Sequence, residues 1–193
     1  GSLKLGFGTS AFVLEGPTSA NHIVGVNQVP GPIKEGDSQR CELAGLYAVA
    51  VLVDAIVSYY NITEGQILVA CDNSSALRVF WDLFMPNPAY NNFDLFNAVW
   101  HLIRQSPLDW ECTHIHGHQD KHVPYHALPR LSRLNVDMDT LAKAHWTSLV
   151  ESSPAFPVPV HRPILYEGLQ LWTGDTKIVH PSSSTLCNIL ATS

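Results

Sequence analysis

Residues 7–15, FGTSAFVLE, alternate apolar and polar positions and are rich in β-forming types; Gly16-Pro17 ends them. Residues 22–29, HIVGVNQV, make a second run of this kind, closed by Pro30-Gly31-Pro32. Two such runs joined by a short polar link predict an antiparallel hairpin. The longest helical pattern follows, QRCELAGLYAVAVLVDAIVSYY, with Ser38 as its expected N-cap. Leu43, Leu46, Tyr47, Ala50, Val53, Ile56 and Val57 keep helical spacing, and the helix is apolar on most sides, so it should pack against a sheet. Asn61 to Gly65 ends it.

Residues 66–71, QILVAC, are a short continuous apolar run, the pattern of a strand buried on both faces. The run stops at Asp72, and Asn73-Ser74-Ser75 open a helix expected to reach Phe84. MPNPAYNN reads as a loop, FDLFNAVWHLIRQ as an amphipathic helix, and Trp110 to His116 as a strand. After a long loop, a helix is expected over Arg133–Val150. The order β-β-α-β-α-α-β-loop-α predicts an α/β fold with a mixed sheet over residues 1–150. Residues 151–163 form a proline-rich linker. Residues 164–193 are a C-terminal extension with a hairpin turning at Thr173-Gly174-Asp175. No internal repeat is visible.

Composition narrows the classes. The hydrophobic fraction of 46% over 193 residues supports a real core, and a charged fraction of 15% does not suit a disordered chain. A formal net charge of −6 speaks against an autonomous basic nucleic-acid binder, but leaves room for an acidic enzyme that carries metal ions. Cys41, Cys71, Cys112 and Cys187 form no C-x-x-C pair, and most lie in apolar runs, as in a reduced intracellular protein of the cytoplasm or nucleus. Asn61-Ile62-Thr63 matches a glycosylation sequon and is read as chance. The longest apolar run, Leu43 to Val53, is too short for a membrane span, so no membrane partner is expected.

Three acidic residues stand out by position. Glu42 lies near the start of the first helix, Asp72 at the end of the apolar strand, and Asp139 on the last helix in NVDMDTLAK. Chemistry in open α/β sheets gathers at the carboxyl ends of strands, where Asp72 lies, and carboxylates suit Mg²⁺. Each has a plainer reading: Glu42 favoured by the helix dipole, Asp72 as N-cap of the next helix, Asp139 as a solvated helix residue.

SQRCELAGLYA, LVACDNSSAL, HIHGHQD and NVDMDTLAKA occur in the order found in type 1 ribonuclease H. The chain resembles the ribonuclease-H-like domain of retroelement reverse-transcriptase polyproteins over roughly residues 1–150. The resemblance implies a three-layer ribonuclease-H-like fold and endonucleolytic hydrolysis of the RNA strand of RNA/DNA hybrids. It also implies two Mg²⁺ ions, replaceable by Mn²⁺, and a reverse transcriptase domain in the same polyprotein. Glu42, Asp72 and Asp139 match the metal-binding carboxylates and His118 the loop histidine. One ion would activate water and the other stabilise the leaving oxygen, with His118 assisting proton transfer or product release. Ser38, Gln39, Asn73 and Ser74 match the hybrid-contacting positions, although helix capping explains them equally. The first-strand aspartate of the family, normally in a D-G-S stretch, has no counterpart after Gly1-Ser2, whether these two residues are native or a cloning remnant. The first central strand is therefore expected to be truncated and activity impaired. The region FMPNPAYNN lacks the basic residues of the relatives' protrusion, so hybrid affinity should be modest and salt-sensitive.

Two alternatives remain. One is a non-catalytic ribonuclease-H-like module that binds or tethers nucleic acid. The other is a zinc-dependent hydrolase using His114, His116 and His118, since alternating imidazoles on a strand suit Zn²⁺. The segment departs from H-x-H-x-D-H where no Asp-His pair follows the second histidine. His122 and His126 are expected on the loop surface, and Asp120 either orients His118 or is solvated.

Overall fold

The computed structural model describes residues 1–4, 7–16, 22–30, 37–81, 86–87, 89–152, 171–173 and 176–178. The expected hairpin forms: β2 (Phe7–Glu15) pairs antiparallel with β3 (His22–Gln28), Val13 opposite Val24. A short strand β1 (Ser2–Lys4) adds antiparallel to the start of β2, Ser2 opposite Thr9. The chain then enters helix α1 (Ser38–Tyr60). Its N-cap is Asp37 rather than the expected Ser38. The Asp37 carboxylate accepts from the Arg40 backbone N–H at 3.3 Å, and Ser38 is the first helical residue. Asn61 ends the helix in the left-handed conformation, φ 53°, donating its backbone N–H to the Val57 carbonyl.

Strand β4 (Gln66–Cys71) runs parallel to β5 (Asp109–His114), in register from Gln66 opposite Asp109 to Cys71 opposite His114. The connection carries α2 (Ser74–Trp81) and α3 (Phe93–Gln105), as a parallel pair requires a crossover. Strand β5 stops before Ile115 and His116, so it is shorter than the sequence pattern implied. Helix α4 (Arg130–Ser152) begins a turn earlier than Arg133, because the Pro129 carbonyl already accepts the Arg133 N–H. A separate antiparallel pair, β6 (Leu171–Thr173) and β7 (Thr176–Ile178), matches the C-terminal hairpin. Its turn residues 174 and 175, the end of the second helix beyond Trp81 and the linker lie outside the described residues.

The fold is α/β with four helices and both antiparallel and parallel sheets. The expected single mixed sheet is instead two: β1-β2-β3 and β4-β5, with no ladder between them among the described residues. Among the described residues β1 pairs with Phe7 to Thr9, and β2 from Ser10 onward is paired with β3 alone.

The core lies between α1, α2, α3 and β4. Leu43, Ala44, Leu77, Leu95, Val99 and Val79 are almost fully buried there. The apolar pattern of α1 serves this packing against α3 and β2. By length and composition alone α1 is long and apolar enough to cross a membrane, a test that the core helix of a soluble protein also passes. Strand β4 departs from its pattern. Val69 and Cys71 are buried, but Leu68 is 59% exposed.

A charged clamp fixes the start of α1. Buried Arg40 donates to both carboxylate oxygens of buried Asp94 at 2.7 and 2.8 Å, to the Pro30 carbonyl at 2.8 Å and to Asn92 Oδ1 at 3.2 Å. Asn92 in turn donates to Asp37. The amino ends of α1 and α3 are thereby tied together, with the geometry that makes a buried pair tolerable.

Candidate metal centre

Glu42 follows Arg40 by two positions, so the clamp also sets where its side chain leaves α1. Its carboxylate meets two groups. One oxygen accepts from the Gly1 amino group, and the other lies 3.9 Å from Cys71 Sγ. Asp72 follows Cys71 at the carboxyl end of β4. Glu42, Cys71 and Asp72 each offer a ligand atom within 4.8 Å of the others. The Cys71 thiol is pushed up to about 12, first by burial and then by the Glu42 charge. It is a neutral, hydrogen-bearing neighbour at ordinary pH, which leaves the two carboxylates as the ligands of consequence.

Asp139 arrives from α4. Its Oδ1 lies 3.9 Å from the Gly1 nitrogen that Glu42 holds, and its Oδ2 accepts from Lys143 Nζ at 2.8 Å. The carboxylates of Glu42 and Asp139 thus approach one another from α1 and α4, with Asp72 beside Glu42 at the end of β4. Oxygen ligands of this kind fit a hard divalent cation such as Mg²⁺.

His118 stands at the rim. It is 59% exposed, its backbone is left-handed at φ 54°, and its Nδ1 lies 3.8 Å from Asp139 Oδ2. Gln119 ties this loop down, donating to the His116 carbonyl at 2.8 Å and to Ser132 Oγ on α4 at 3.1 Å. Asp120, His122 and His126 are exposed, as expected of a loop surface.

Two neighbours of Asp72 escaped the sequence reading. Asn135 Nδ2 donates to Asp72 Oδ2 at 3.2 Å. It lies one helical turn before Asp139 on α4, so the i,i+4 spacing was a usable signal. Gly117 packs its backbone over the same carboxylate, and a Cβ there would come within 2.7 Å of Asp72 Oδ2. The N-cap role considered for Asp72 belongs to Asn73, whose Oδ1 accepts the Ala76 N–H at 3.0 Å.

The remaining candidates are dispersed. Ser38 and Ser74 are exposed on the first turns of α1 and α2. Gln39 and Asn73 are half-buried, with Gln39 Oε1 at 3.5 Å from Asn92 Nδ2. His114 Nε2 lies 3.2 Å from the Asp72 carbonyl, and its ring meets that of His116 edge-to-face at 5.7 Å. Among the described residues no histidine joins the cluster with metal-ligand spacing. No family model matches this chain, and no curated protein or solved structure is similar to it.

Proposed function

We propose that the chain is a ribonuclease-H-type domain that hydrolyses the RNA strand of RNA/DNA hybrids with Mg²⁺, within a retroelement polyprotein that also carries a reverse transcriptase. The observation that supports this reading is the clustering of Glu42 and Asp72 within ligand distance, from α1 and the carboxyl end of β4, with Asp139 of α4 nearby. Glu42, Asp72 and Asp139 would hold the metal, which when bound supplies an activated water and charge stabilisation at the leaving oxygen.

The chain's own residues contribute orientation and proton handling. Asn135 fixes one oxygen of Asp72, and Gly117 covers it without a side chain. The Arg40–Asp94 clamp positions the turn that bears Glu42. His118, exposed on a tethered loop beside Asp139, is placed to take or return a proton at the cleavage site. Exposed Ser38 and Ser74, with half-buried Gln39 and Asn73 beside them, flank Glu42 and Asp72, where an RNA 2′-hydroxyl would be read.

A non-catalytic binding module is the second reading. It is favoured by the cation already paired with one of the carboxylates, Lys143 with Asp139. Metal-dependent cleavage of a labelled hybrid, compared between the chain and its Asp72→Asn variant, separates the two. Cleavage lost in the variant supports the nuclease. Hybrid binding without cleavage in either supports the module.

A further inference from the structure

Strand β3 is the outer strand of its sheet. Among the described residues it pairs with β2 alone, in one unbroken register from Glu15 opposite His22 to Thr9 opposite Gln28. The ladder fixes which of its backbone groups are engaged. Just past the strand, the Val29 N–H donates to the Gly8 carbonyl at 2.9 Å, in the same register. In an antiparallel ladder the N–H and C=O of one residue point to the same side, and successive residues alternate. Ile23, Gly25 and Asn27 therefore bond to β2, while His22, Val24, Val26 and Gln28 turn their backbone groups to the open edge. Of these outward groups, the Gln28 carbonyl alone accepts a bond among the described residues, from Asn27 Nδ2 at 3.4 Å. Edge strands are commonly guarded against further pairing by a Lys, a Pro or a bulge. The run HIVGVNQ has none of these, and no Arg, Asp or Glu, in a chain of formal net charge −6. Ile23, Val24 and Val26 are 46%, 44% and 39% exposed along it.

We infer that a second copy of the chain docks on this edge, β3 against β3, antiparallel about a twofold axis at Gly25. Three observations choose a second copy over a foreign strand. The first is parity. Pairing about Gly25 sets Val24 opposite Val26 of the second copy and His22 opposite its Gln28, so outward N–H groups meet outward carbonyls. The second is the glycine itself. Phe12 lies opposite Gly25 on β2, and its ring reaches so far across β3 that a Cβ at Gly25 would collide with it. With no side chain on the axis, two copies bring their Phe12 rings toward each other over the paired glycines, an aromatic contact that a foreign strand does not supply. The third is charge. Two acidic chains repel, and β3 lets them meet without setting like charges opposite each other. Seven residues of edge fall short of the ~1,000 Å² of a stable interface, so the dimer is reversible and dissociates in the range of about 10–100 µM. The inference rests on backbone pairing and stands apart from the nuclease reading.

Sedimentation velocity of the full chain from about 5 to about 500 µM should show a monomer passing to a dimer. Val24→Lys and Val26→Pro should each hold it monomeric at the top of that range. Val26→Pro removes an outward N–H and no bond to β2, so its circular dichroism should match that of the parent chain. A second readout needs no variant. Amide exchange read by nuclear magnetic resonance at about 20 and about 500 µM should slow about threefold at Val24 and Val26 at the higher concentration, with Ile23 and Gly25, already bonded to β2, changed less. The inference is overturned by a monomer throughout, by a dimer that both variants leave intact, or by concentration-dependent protection that misses Val24 and Val26. A chain that dimerises in this way but cuts no hybrid keeps this inference and loses the nuclease reading, and a monomer that cuts does the reverse.

Discussion

At the residue scale the centre is built from contacts that single substitutions can interrogate. Gly117→Ala places a methyl within 2.7 Å of Asp72 Oδ2, so either the loop or the carboxylate must move. Misplacement of a reacting group by about 1 Å costs on the order of 10²-fold in rate. Cleavage should fall roughly ten- to a hundredfold in this variant while its melting temperature moves little, and steady-state kinetics beside thermal unfolding checks both. Lys143 is a competitor for Asp139, and Lys143→Gln should raise affinity for Mn²⁺ by about two- to fivefold, the range set by an exposed ion pair. Titration followed by electron paramagnetic resonance reads this directly. Away from the centre, the Tyr125 hydroxyl donates to Asp137 at 2.7 and 2.9 Å, and this bond is the main reason its pKa is raised above 10.0. A raised phenol favours the neutral form in the fold. Its contribution is complete below pH 10 and fades as pH rises through the folded value. Ultraviolet titration should show a tyrosine ionising late, and Asp137→Asn should return it to the ordinary range.

Elements were legible where a pattern is local. The spacing of Leu43, Leu46, Ala50, Val53 and Val57 marked α1, and the alternation in residues 7–15 and 22–29 marked the hairpin, because side-chain period follows from backbone geometry alone. The neighbourhood of Glu42 and Asp72 was legible from their places, one on the first turns of α1 and one at the end of β4. What escaped depends on partners distant in sequence. Asp37 and Ser38 are both good caps, and what lies around Asp37, Asn92 from the start of α3, is not visible in a local window. Asn135 and Gly117 matter only because α4 and the loop after β5 fold over Asp72. The Arg40–Asp94 clamp is the element-scale test. Arg40→Met should cost about 3–5 kcal/mol by stranding the buried Asp94 carboxylate, and Arg40→Met with Asp94→Leu should recover much of it. Urea unfolding of the two variants measures the difference.

On the proposed reading, the whole molecule pairs a net acidic chain with a substrate that is itself a polyanion. With a formal net charge of −6, long-range attraction gives the chain little help, and contacts to a hybrid must be few and local. Binding should therefore be weak in isolation and weaken further as salt is raised, as fluorescence anisotropy at increasing KCl would show. On the proposed reading a neighbouring polymerase would deliver the substrate. The most direct measurement is cleavage of a labelled RNA/DNA hybrid with Mg²⁺ by the chain and by its Asp72→Asn variant. The account predicts cutting of the RNA strand that chelation or Asp72→Asn abolishes. A folded, hybrid-binding chain that does not cut, or cutting that survives Asp72→Asn, would contradict it.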